Sequence, residues 1–439
     1  MKRILVKGCV LLAVFAAAIA ITSAFLNNTD VQSTAEKSDA QLPALSMSYD
    51  GTEINQMFGY CDEIEEYTLR DTLTLLPTDR TLTLNIKNYG VEIKEVNYRI
   101  TSFEDGSIVE NGRIKSFTAN ETGSTAEFYI ETPITMSQEY TLRFEVTTNI
   151  GTFYYYTRLL QRSGQNLNWY LEFVQGFYAN CLTNNVTDEM KKQLEPETAS
   201  ANSSLHSVNI HSNLDQITWG DLAPTLVKKP IPTILEVNET TVSIKLDYII
   251  SAKDTNGGTE YYTVSEYYRM RKSQDYVILL DFEREATQFF DPENQVLGSS
   301  GLNLGITGKD VSYASNEDAD IAVFVQAGEV WEYDRTADKA ARIFTFTKEA
   351  YTDDRAVHNE HGVSISAVDD DGTVTFIVYG YMNSGAHEGM MGVSIYRYYP
   401  KRNTTEELMF IESDQGFNML ERSLSRLAYV NESDQCFVL

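Results

Sequence analysis

The stretch VWEYDRTADKAARIFTF, residues 330–346, reads as a strand ending in Trp-x-Tyr, a polar turn and a second strand. The stretch GVSIYRYYPKRNTTEELMFI, residues 392–411, has the same order with Tyr-x-Tyr in place of Trp-x-Tyr, and the motif recurs roughly every 50 residues. Apolar strands at 321–325 and 373–379 precede the two stretches, and a third round opens at 425–430 and ends at 436–439. This recurrence predicts successive antiparallel sheets over residues 297–439.

These repeats resemble the blades of TolB- or WD40-type β-propellers over residues 310–439, although the Trp-Asp dipeptide of WD40 repeats is missing. The resemblance implies a partial propeller, because propellers close with about four to eight blades and this sequence holds about two and a half. Two expectations follow. Either the chain is a truncated part of a longer protein, or residues 297–439 form another sandwich. We favour truncation, because an unclosed propeller would leave an unpaired edge strand.

Residues 48–162 show the period-two alternation of half-buried strands. Leu82, Leu84 and Ile86 alternate with polar residues, and Glu104-Asp105-Gly106-Ser107 marks a hairpin turn. Six or seven short strands at this spacing predict a β-sandwich of immunoglobulin or fibronectin type III architecture. The Cys, Trp and Cys signature of true immunoglobulin domains is absent.

Residues 163–296 begin with a helical period and then return to strands. Apolar residues recur with helical spacing from Leu167 to Leu182, and a second helix is predicted from Thr187 to a point before Pro196. Alternation resumes at 241–250, and Asn256-Gly257 predicts a hairpin. Helices followed by a curled antiparallel sheet resemble the NTF2-like arrangement. That resemblance implies either a pocket or a plain spacer module.

The N-terminus predicts a membrane segment. Lys2, Arg3 and Lys7 precede an uncharged run whose apolar part, within residues 8–25, reaches the length that a spanning helix needs. The cations place the N-terminus inside and the bulk of the chain outside the membrane. Residues 1–29 are therefore a signal anchor, or a signal peptide cleaved near Ala18-Ile19-Ala20. Residues 30–47 are predicted to be a flexible spacer.

The charge of the chain excludes one class of partner, and its cysteines leave the disulfide pairing open. The 439 residues contain 63 acidic and 35 basic side chains, giving a net charge of −28. This balance argues against a nucleic-acid partner, which needs clustered Lys and Arg. Three of the four cysteines, Cys61, Cys181 and Cys436, follow the anchor, and their pairing cannot be deduced from the sequence.

The best candidate site is a histidine group, in which His358, His361 and His387 fall within 30 residues beside Glu360 and Glu388. His358-Asn359-Glu360-His361 is one residue short of the zinc-protease motifs. The two histidines are therefore not four residues apart, the spacing that places two zinc ligands on one face of a helix. A loop-borne zinc site is weighed against a solvated loop between strands, and the solvated loop is favoured. No metal residue is assigned.

Other motifs are better explained as turns. Asn316-x-Asp318-x-Asp320 has Ile321 and Ala327 where a calcium loop needs Gly and Glu, which favours a turn entering a strand. The acidic residues 369–371 and Gly372 predict a hairpin turn. Gly308-Lys309 is followed by Asp310 where a phosphate loop needs Ser or Thr. The aromatic runs at 153–156 and 267–268 are explained by sheet packing rather than by sugar stacking.

The outline as a whole resembles uncharacterised signal-anchored extracytoplasmic proteins of Gram-positive bacteria. It predicts a membrane-anchored binding or scaffold protein without catalytic activity, whose partner is a protein or a surface glycan. No catalytic, cofactor-binding or metal residue and no cofactor is predicted. The alternative is an extracytoplasmic hydrolase acting on carbohydrate or peptide through His358, His361, His387 or nearby carboxylates. A sensor that signals through the single span is a third hypothesis.

Overall fold

The computed structural model describes residues 40–64, 71–164, 166–196, 204–254, 256–274, 276–293, 297–298, 301–347, 351, 353–430 and 436–438. The predicted anchor, residues 1–29, and most of the predicted spacer lie outside the described residues. Within the described part, no helix is long and apolar enough to cross a membrane. The chain is mainly β and builds several separate sheets.

The described residues of the N-terminal unit, which spans 44–160, form ten strands in two sheets that share one apolar core. One five-stranded sheet has the order β2-β1-β4-β8-β7 and the other has the order β3-β10-β9-β5-β6. The strands are β1 Ala44–Tyr49, β2 Thr52–Phe58, β3 Leu73–Leu75, β4 Thr81–Lys87, β5 Ile93–Ser102, β6 Ile108–Ile114, β7 Thr118–Ala119, β8 Gly123–Tyr129, β9 Glu139–Thr148 and β10 Thr152–Leu160.

The middle unit, residues 167–288, packs helices against a strongly paired antiparallel sheet. Its helices are α1 Leu167–Leu182, α2 Asp188–Gln193 and α3 Leu214–Ile217, followed by a 3₁₀ turn at Gly220–Leu222. Its strands are β11 Ser207–Asn209, β12 Thr225–Lys228, β13 Thr233–Val237, β14 Thr241–Lys253, β15 Thr259–Lys272 and β16 Val277–Gln288. The sheet order is β11-β16-β15-β14-β12, with β13 also paired to β14.

The predicted helix signals of this unit are present. Asn166 caps α1 by accepting a bond from the amide of Asn168, and Thr187 caps α2 by accepting one from Met190. The apolar face of α1 is buried, while α2 ends before Pro196. Gly257 adopts a φ of 90° in the turn between β14 and β15, which only glycine adopts without strain.

The C-terminal unit, residues 297–438, contains two four-stranded meanders. After the short pair β17 Leu297–Gly298 and β18 Gly301–Leu302, the first meander is β19 Tyr313–Ser315, β20 Ile321–Gln326, β21 Glu329–Asp334 and β22 Lys339–Phe344. A 3₁₀ turn at Asp354–Val357 leads to the second, β23 His361–Val368, β24 Val374–Tyr381, β25 Met391–Tyr399 and β26 Thr404–Glu412. Helix α4 Phe417–Leu427 and the pair β27 Ala428–Val430 and β28 Cys436–Val438 follow.

The inner strands of the two meanders, β20, β21, β24 and β25, are buried on both faces. Val323 and Val330 of the first pack against Phe376 and Val378 of the second. The other face of the second meander is covered by Leu420 and Leu424 of α4 and by residues of the N-terminal unit. The other face of the first is covered by Phe290, Leu302, Leu304 and Val311. This double burial explains why β20 and β24 are nearly continuous apolar runs instead of alternating ones.

Two predicted boundaries differ from the observed elements. Strand β1 begins at Ala44, inside the predicted spacer 30–47, because Ala44, Leu45 and Met47 are buried against β2 and β4. The strand predicted at 425–430 is strand only from Ala428. The preceding residues belong to α4, since Phe417, Leu420 and Leu424 recur at helical spacing and contact the second meander.

Asn55 fastens the N-terminal unit to the middle unit. It is fully buried with a φ of 55°, and its amide donates to the carbonyl of Pro232 at 2.9 Å. Its side chain accepts a bond from the amide of Ile234 at 2.8 Å and donates to the carbonyl of Leu73 at 2.9 Å. One residue therefore joins β2, β3 and β13.

We expect Asn55→Ala to lower the free energy of unfolding by about 2–4 kcal/mol, because it orphans buried polar groups and strains the left-handed backbone. Asn55→Gly removes the side-chain hydrogen bonds but adopts the left-handed backbone without strain. It therefore separates the cost of the lost hydrogen bonds from the cost of backbone strain. Asn111→Ala, at an exposed position of β6, is the matched control. Urea unfolding measures the change, and equal midpoints for Asn55→Ala and the control would contradict the expectation.

Candidate functional site at the junction of the three units

The three units meet around Asp354, in the 3₁₀ turn before β23. Its carboxylate forms an ion pair with Lys87 of β4 at 2.5 Å and a closer one with Lys228 of β12, and it accepts a bond from the Tyr89 hydroxyl. Burial alone would raise the pKa of Asp354. The Lys228 charge and the bonds from Lys87 and Tyr89 overcome this effect and hold that pKa well below its usual range.

Arg355 and Glu388 form a second fastening, at the first described residues of the chain. The carboxylate of Glu388 accepts bonds from the amides of Gln41 and Leu42 at 2.7–2.9 Å. Arg355 pairs with Glu388 at 3.4 Å, donates to the carbonyl of Leu42 and lies over the ring of Tyr89 at 4.5 Å. The start of β1 is thus fixed to the C-terminal unit.

A cavity of about 210 Å³ lies beside these fastenings, and we refer to it as the junction cavity. Side chains from all three units line it. They include Phe58, Tyr60, Asp71 and Tyr156 of the N-terminal unit, Lys228, Lys245 and Asp247 of the middle unit, and His358 and Glu360 of the C-terminal unit.

The polar lining of the junction cavity is only partly paired. Lys245 forms an ion pair with Asp247 at 3.0 Å, two residues along β14. Glu360, half-buried, makes no side-chain hydrogen bond or ion pair with any residue that the structure describes, and the same holds for Asp71. Burial and the nearby charge of Asp71 raise the pKa of Glu360 to about 7.

His358 forms part of an aromatic wall of the cavity. Its ring stacks on Phe58 with 4.1 Å between centroids and meets the edge of Tyr381 at 4.8 Å. Its Nε2 atom is buried and has no hydrogen-bond partner. Burial lowers the pKa of His358 to about 3, so the ring is neutral at physiological pH.

The predicted histidine group does not converge on one point. His358 and Glu360 line the junction cavity, while His361 and His358 both line a separate cavity of about 220 Å³. His387 stacks on Phe410 at 3.8 Å and contacts Glu407 at 3.2 Å, and Glu388 binds the chain start. The described residues contain no group of three or more His, Cys, Asp or Glu side chains able to hold a metal ion.

The motifs interpreted as turns are turns in the structure. The side-chain oxygen of Asn316 accepts bonds from the amides of Asp320 and Ile321, at 3.2 and 3.1 Å, at the entry to β20. Residues 369–372 form the turn between β23 and β24, in which Gly372 has a φ of 81°. Among the described cysteines, Cys61 and Cys181 are free thiols.

The aromatic runs lie mainly inside the sheets. Phe153 and Tyr155 of β10 belong to the shared core, as does Tyr268 of β15, whose hydroxyl donates to Glu266 at 2.6 Å. Tyr156 is the exception, because it lines the junction cavity. Packing therefore accounts for most of these rings, as the sequence predicted.

Sequence reasoning missed Asp71, Lys245 and Asp247. Lys245 and Asp247 alternate with buried apolar residues on β14, a pattern typical of a solvent-facing side of a strand. In the folded chain this side faces the two other units. One feature of the sequence could have indicated these residues. Lys245 and Asp247 form an oppositely charged pair on one side of β14, whose 13 residues make it unusually long for a strand of a globular protein.

Comparisons with known proteins identify no family for the chain. No protein-family model matches the sequence, and no curated protein matches it. Among solved structures, a quinoprotein alcohol dehydrogenase-like protein from Bacteroides thetaiotaomicron is similar at 9% identity and a TM-score of 0.15, over 80% of this chain and 96% of that one. An engineered protein is similar at 13% identity and a TM-score of 0.17, over 28% of this chain and 21% of that one.

Proposed function

We propose that the chain is a membrane-anchored extracytoplasmic binding or scaffold protein without catalytic activity, and that the junction cavity is its ligand-binding site. The observation that carries this proposal is the convergence of side chains from all three units on one cavity, where the buried Nε2 of His358 and the half-buried carboxylate of Glu360 have no partner among the described residues. Buried polar groups without partners are rare in folded proteins, and a ligand supplies the missing partners.

The anchor and the finer fold assignments belong to the same proposal. The apolar run within residues 8–25 would hold the chain at the membrane, and the fastened units would present a rigid surface to a protein or surface glycan. We assign the N-terminal unit to an immunoglobulin- or fibronectin-like sandwich and the middle unit to an NTF2-like module. The two meanders of the C-terminal unit are assigned to propeller-like blades. Alkaline extraction of membranes and protease accessibility test the anchor and its orientation.

Binding at the junction cavity is tested by thermal shift of the full-length protein in mild detergent, against a panel of sugars, amino acids, organic cations and short peptides. Gln56→Trp fills the cavity, since Gln56 lines it and is half-buried, and Gln415→Trp at an exposed position is the control. We expect some compounds to raise the melting temperature of the wild type and of the control but not of Gln56→Trp. Equal shifts in all three proteins would overturn the assignment of the cavity.

One observation favours the alternative of a hydrolase. A carboxylic acid with a pKa of about 7, as burial and Asp71 give Glu360, suits general acid catalysis near neutral pH. Release of nitrophenol from nitrophenyl glycosides and of dye from labelled peptides tests this alternative. Turnover by the wild type that Glu360→Gln abolishes would replace the binding proposal with the hydrolase.

A further inference from the structure

The unpaired groups of the junction cavity are mainly acidic. Asp71 and Glu360 have no contact partners in the described part of the chain, and Arg158 and Lys245 act on Asp71 only through their longer-range charge. The lysines are largely matched already, because Lys228 is paired with Asp354 and Lys245 with Asp247. Lys229 borders both this cavity and its neighbour. Lys229 is exposed, so the unmatched charge on the half-buried part of the lining is that of Glu360, with the exposed carboxylate of Asp71 near it.

Aromatic rings form much of the remaining wall. Tyr60 packs edge-on against Tyr156, with 5.9 Å between centroids, and against Tyr381 at 5.3 Å. Phe58 and His358 are stacked beside them. The faces of Tyr and Phe rings attract cations, most strongly where water is excluded. Carboxylates and aromatic rings together select a positively charged group attached to an apolar or hydroxylated body.

We propose that the junction cavity binds a small organic ammonium ion, with its charge on Asp71 and Glu360 and its body against Phe58, Tyr60 and Tyr156. This inference rests on the proposed function and specifies the class of ligand. The size fits, because a protein cavity of about 150 Å³ already holds a benzene molecule. A cavity of about 210 Å³ accommodates an ammonium compound of similar or slightly larger size.

The test measures the affinity of the full-length protein for matched pairs of probes by calorimetry. The cations are choline and benzylammonium, and their neutral isosteres are 3,3-dimethylbutan-1-ol and benzyl alcohol. We expect at least one cation to bind at least tenfold more tightly than its isostere, and Glu360→Gln to weaken that cation at least tenfold. Glu412→Gln, at an exposed position at the end of β26, is the control that leaves affinity unchanged.

The outcomes separate this inference from the proposed function. Isosteres that bind as well as the cations, with binding lost in Gln56→Trp, would overturn the ammonium proposal and keep the binding function. Cations that bind equally to wild type and Glu360→Gln would also overturn it. If neither cations nor isosteres bind, while another compound of the thermal-shift panel does, the ammonium proposal fails and the binding function stands. If no compound binds, both fail.

The pH dependence gives a further prediction. The other titratable groups that face Glu360 are Asp71, Lys245, Asp247 and Tyr60, and the neutral ring of His358 lies beside them. Since Glu360 has a pKa of about 7, it is mostly protonated at pH 6 and mostly ionised at pH 8. Affinity for the cation should therefore rise by up to about tenfold between these pH values. Glu360→Gln should show little rise, and an equal rise in both proteins would contradict the assignment.

The stability of the ligand-free protein provides an independent readout. The folded-state pKa of Glu360 lies above its ordinary value, so its contribution to stability is present at low pH and is lost as the pH rises through about 7. Glu360→Gln should then melt at a higher temperature than the wild type at pH 8 and at nearly the same temperature at pH 4. A merely structural carboxylate with satisfied partners would give the opposite sign at pH 8.

Discussion

Replacing Arg284 by Met is expected to lower the free energy of unfolding of the middle unit by about 3–5 kcal/mol, because it leaves a buried carboxylate without its charge partner. Arg284 and Glu266 are fully buried and lie opposite each other on β16 and β15. The Arg284 guanidinium donates to the carbonyls of Gln216 and Ile217, at 2.6 and 2.8 Å, and lies 3.7 Å from the centroid of the Trp219 ring. The substitution therefore also loosens α3 from the sheet.

The pH dependence of this effect follows from Glu266. Burial raises the pKa of Glu266, and the charge of Arg284 acts against that rise. Without Arg284, the pKa of Glu266 in the folded protein rises further. In acid Glu266 is protonated in both the folded and the unfolded protein, so its burial adds no charge-related cost to folding. Toward neutral pH the unfolded protein ionises Glu266 more readily than the folded variant, and the loss of stability increases. Hydrogen exchange in increasing urea, followed in peptides from β14, β15 and β16, measures the unit separately. Arg271→Met, exposed on β15, is the control, and a pH-independent loss would contradict the explanation.

Replacing Asp354 by Asn is expected to lower the free energy of unfolding by about 2–3 kcal/mol, since it leaves Lys228 nearly buried without a counter-charge. The side chain of Lys228 is only 9% exposed, whereas that of Lys87 is 39% exposed and contributes less. Asn has the size of Asp, so that lost charge rather than lost volume causes the effect. The units should loosen where they meet while each core stays intact.

Hydrogen exchange distinguishes that result from general unfolding. Peptides covering residues 40–45, 225–235 and 354–358 should exchange faster in Asp354→Asn, whereas peptides from β20 and β21 should not change. The folded-state pKa of Asp354 lies below its ordinary value, so the stability it contributes is present above that ordinary value and is lost as the pH falls below it. The difference from wild type should accordingly shrink below about pH 4. Asp318→Asn is the exposed control, and faster exchange throughout the variant would contradict a role confined to the junction.

Much of the secondary structure was predictable because its signals are local. Leu82, Leu84 and Ile86 alternate on β4 and are buried as their period indicates. The helical spacing from Leu167 to Leu182, the caps and the glycine turns also act within a few residues. The end of the chain was harder to interpret, because Leu420 and Leu424 are apolar in a short segment that suits strand or helix.

The candidate site was predictable only in part. His358 and Glu360 were singled out for their sequence proximity to other histidines, and they do line a cavity. The group expected around them is dispersed, because His387 and Glu388 lie in the loop between β24 and β25, and their side chains contact other parts of the chain. The charged residues that lie near Glu360 at the cavity, Asp71, Lys245 and Asp247, are more than 100 residues away in the sequence.

The sequence by itself determined the order of strands and helices and the positions of the turns, because alternation, capping and glycine conformations depend on neighbouring residues. It also determined the strong acidity of the chain and the apolar run within residues 8–25. Only the tertiary structure decided which polar faces are covered. Lys245 and Asp247 on β14 have the pattern of a solvated face, and they line a cavity because contacts of Asp354, Asn55 and Arg355 hold the three units together. Such contacts between distant segments depend on the packing of whole sheets, which no local pattern encodes.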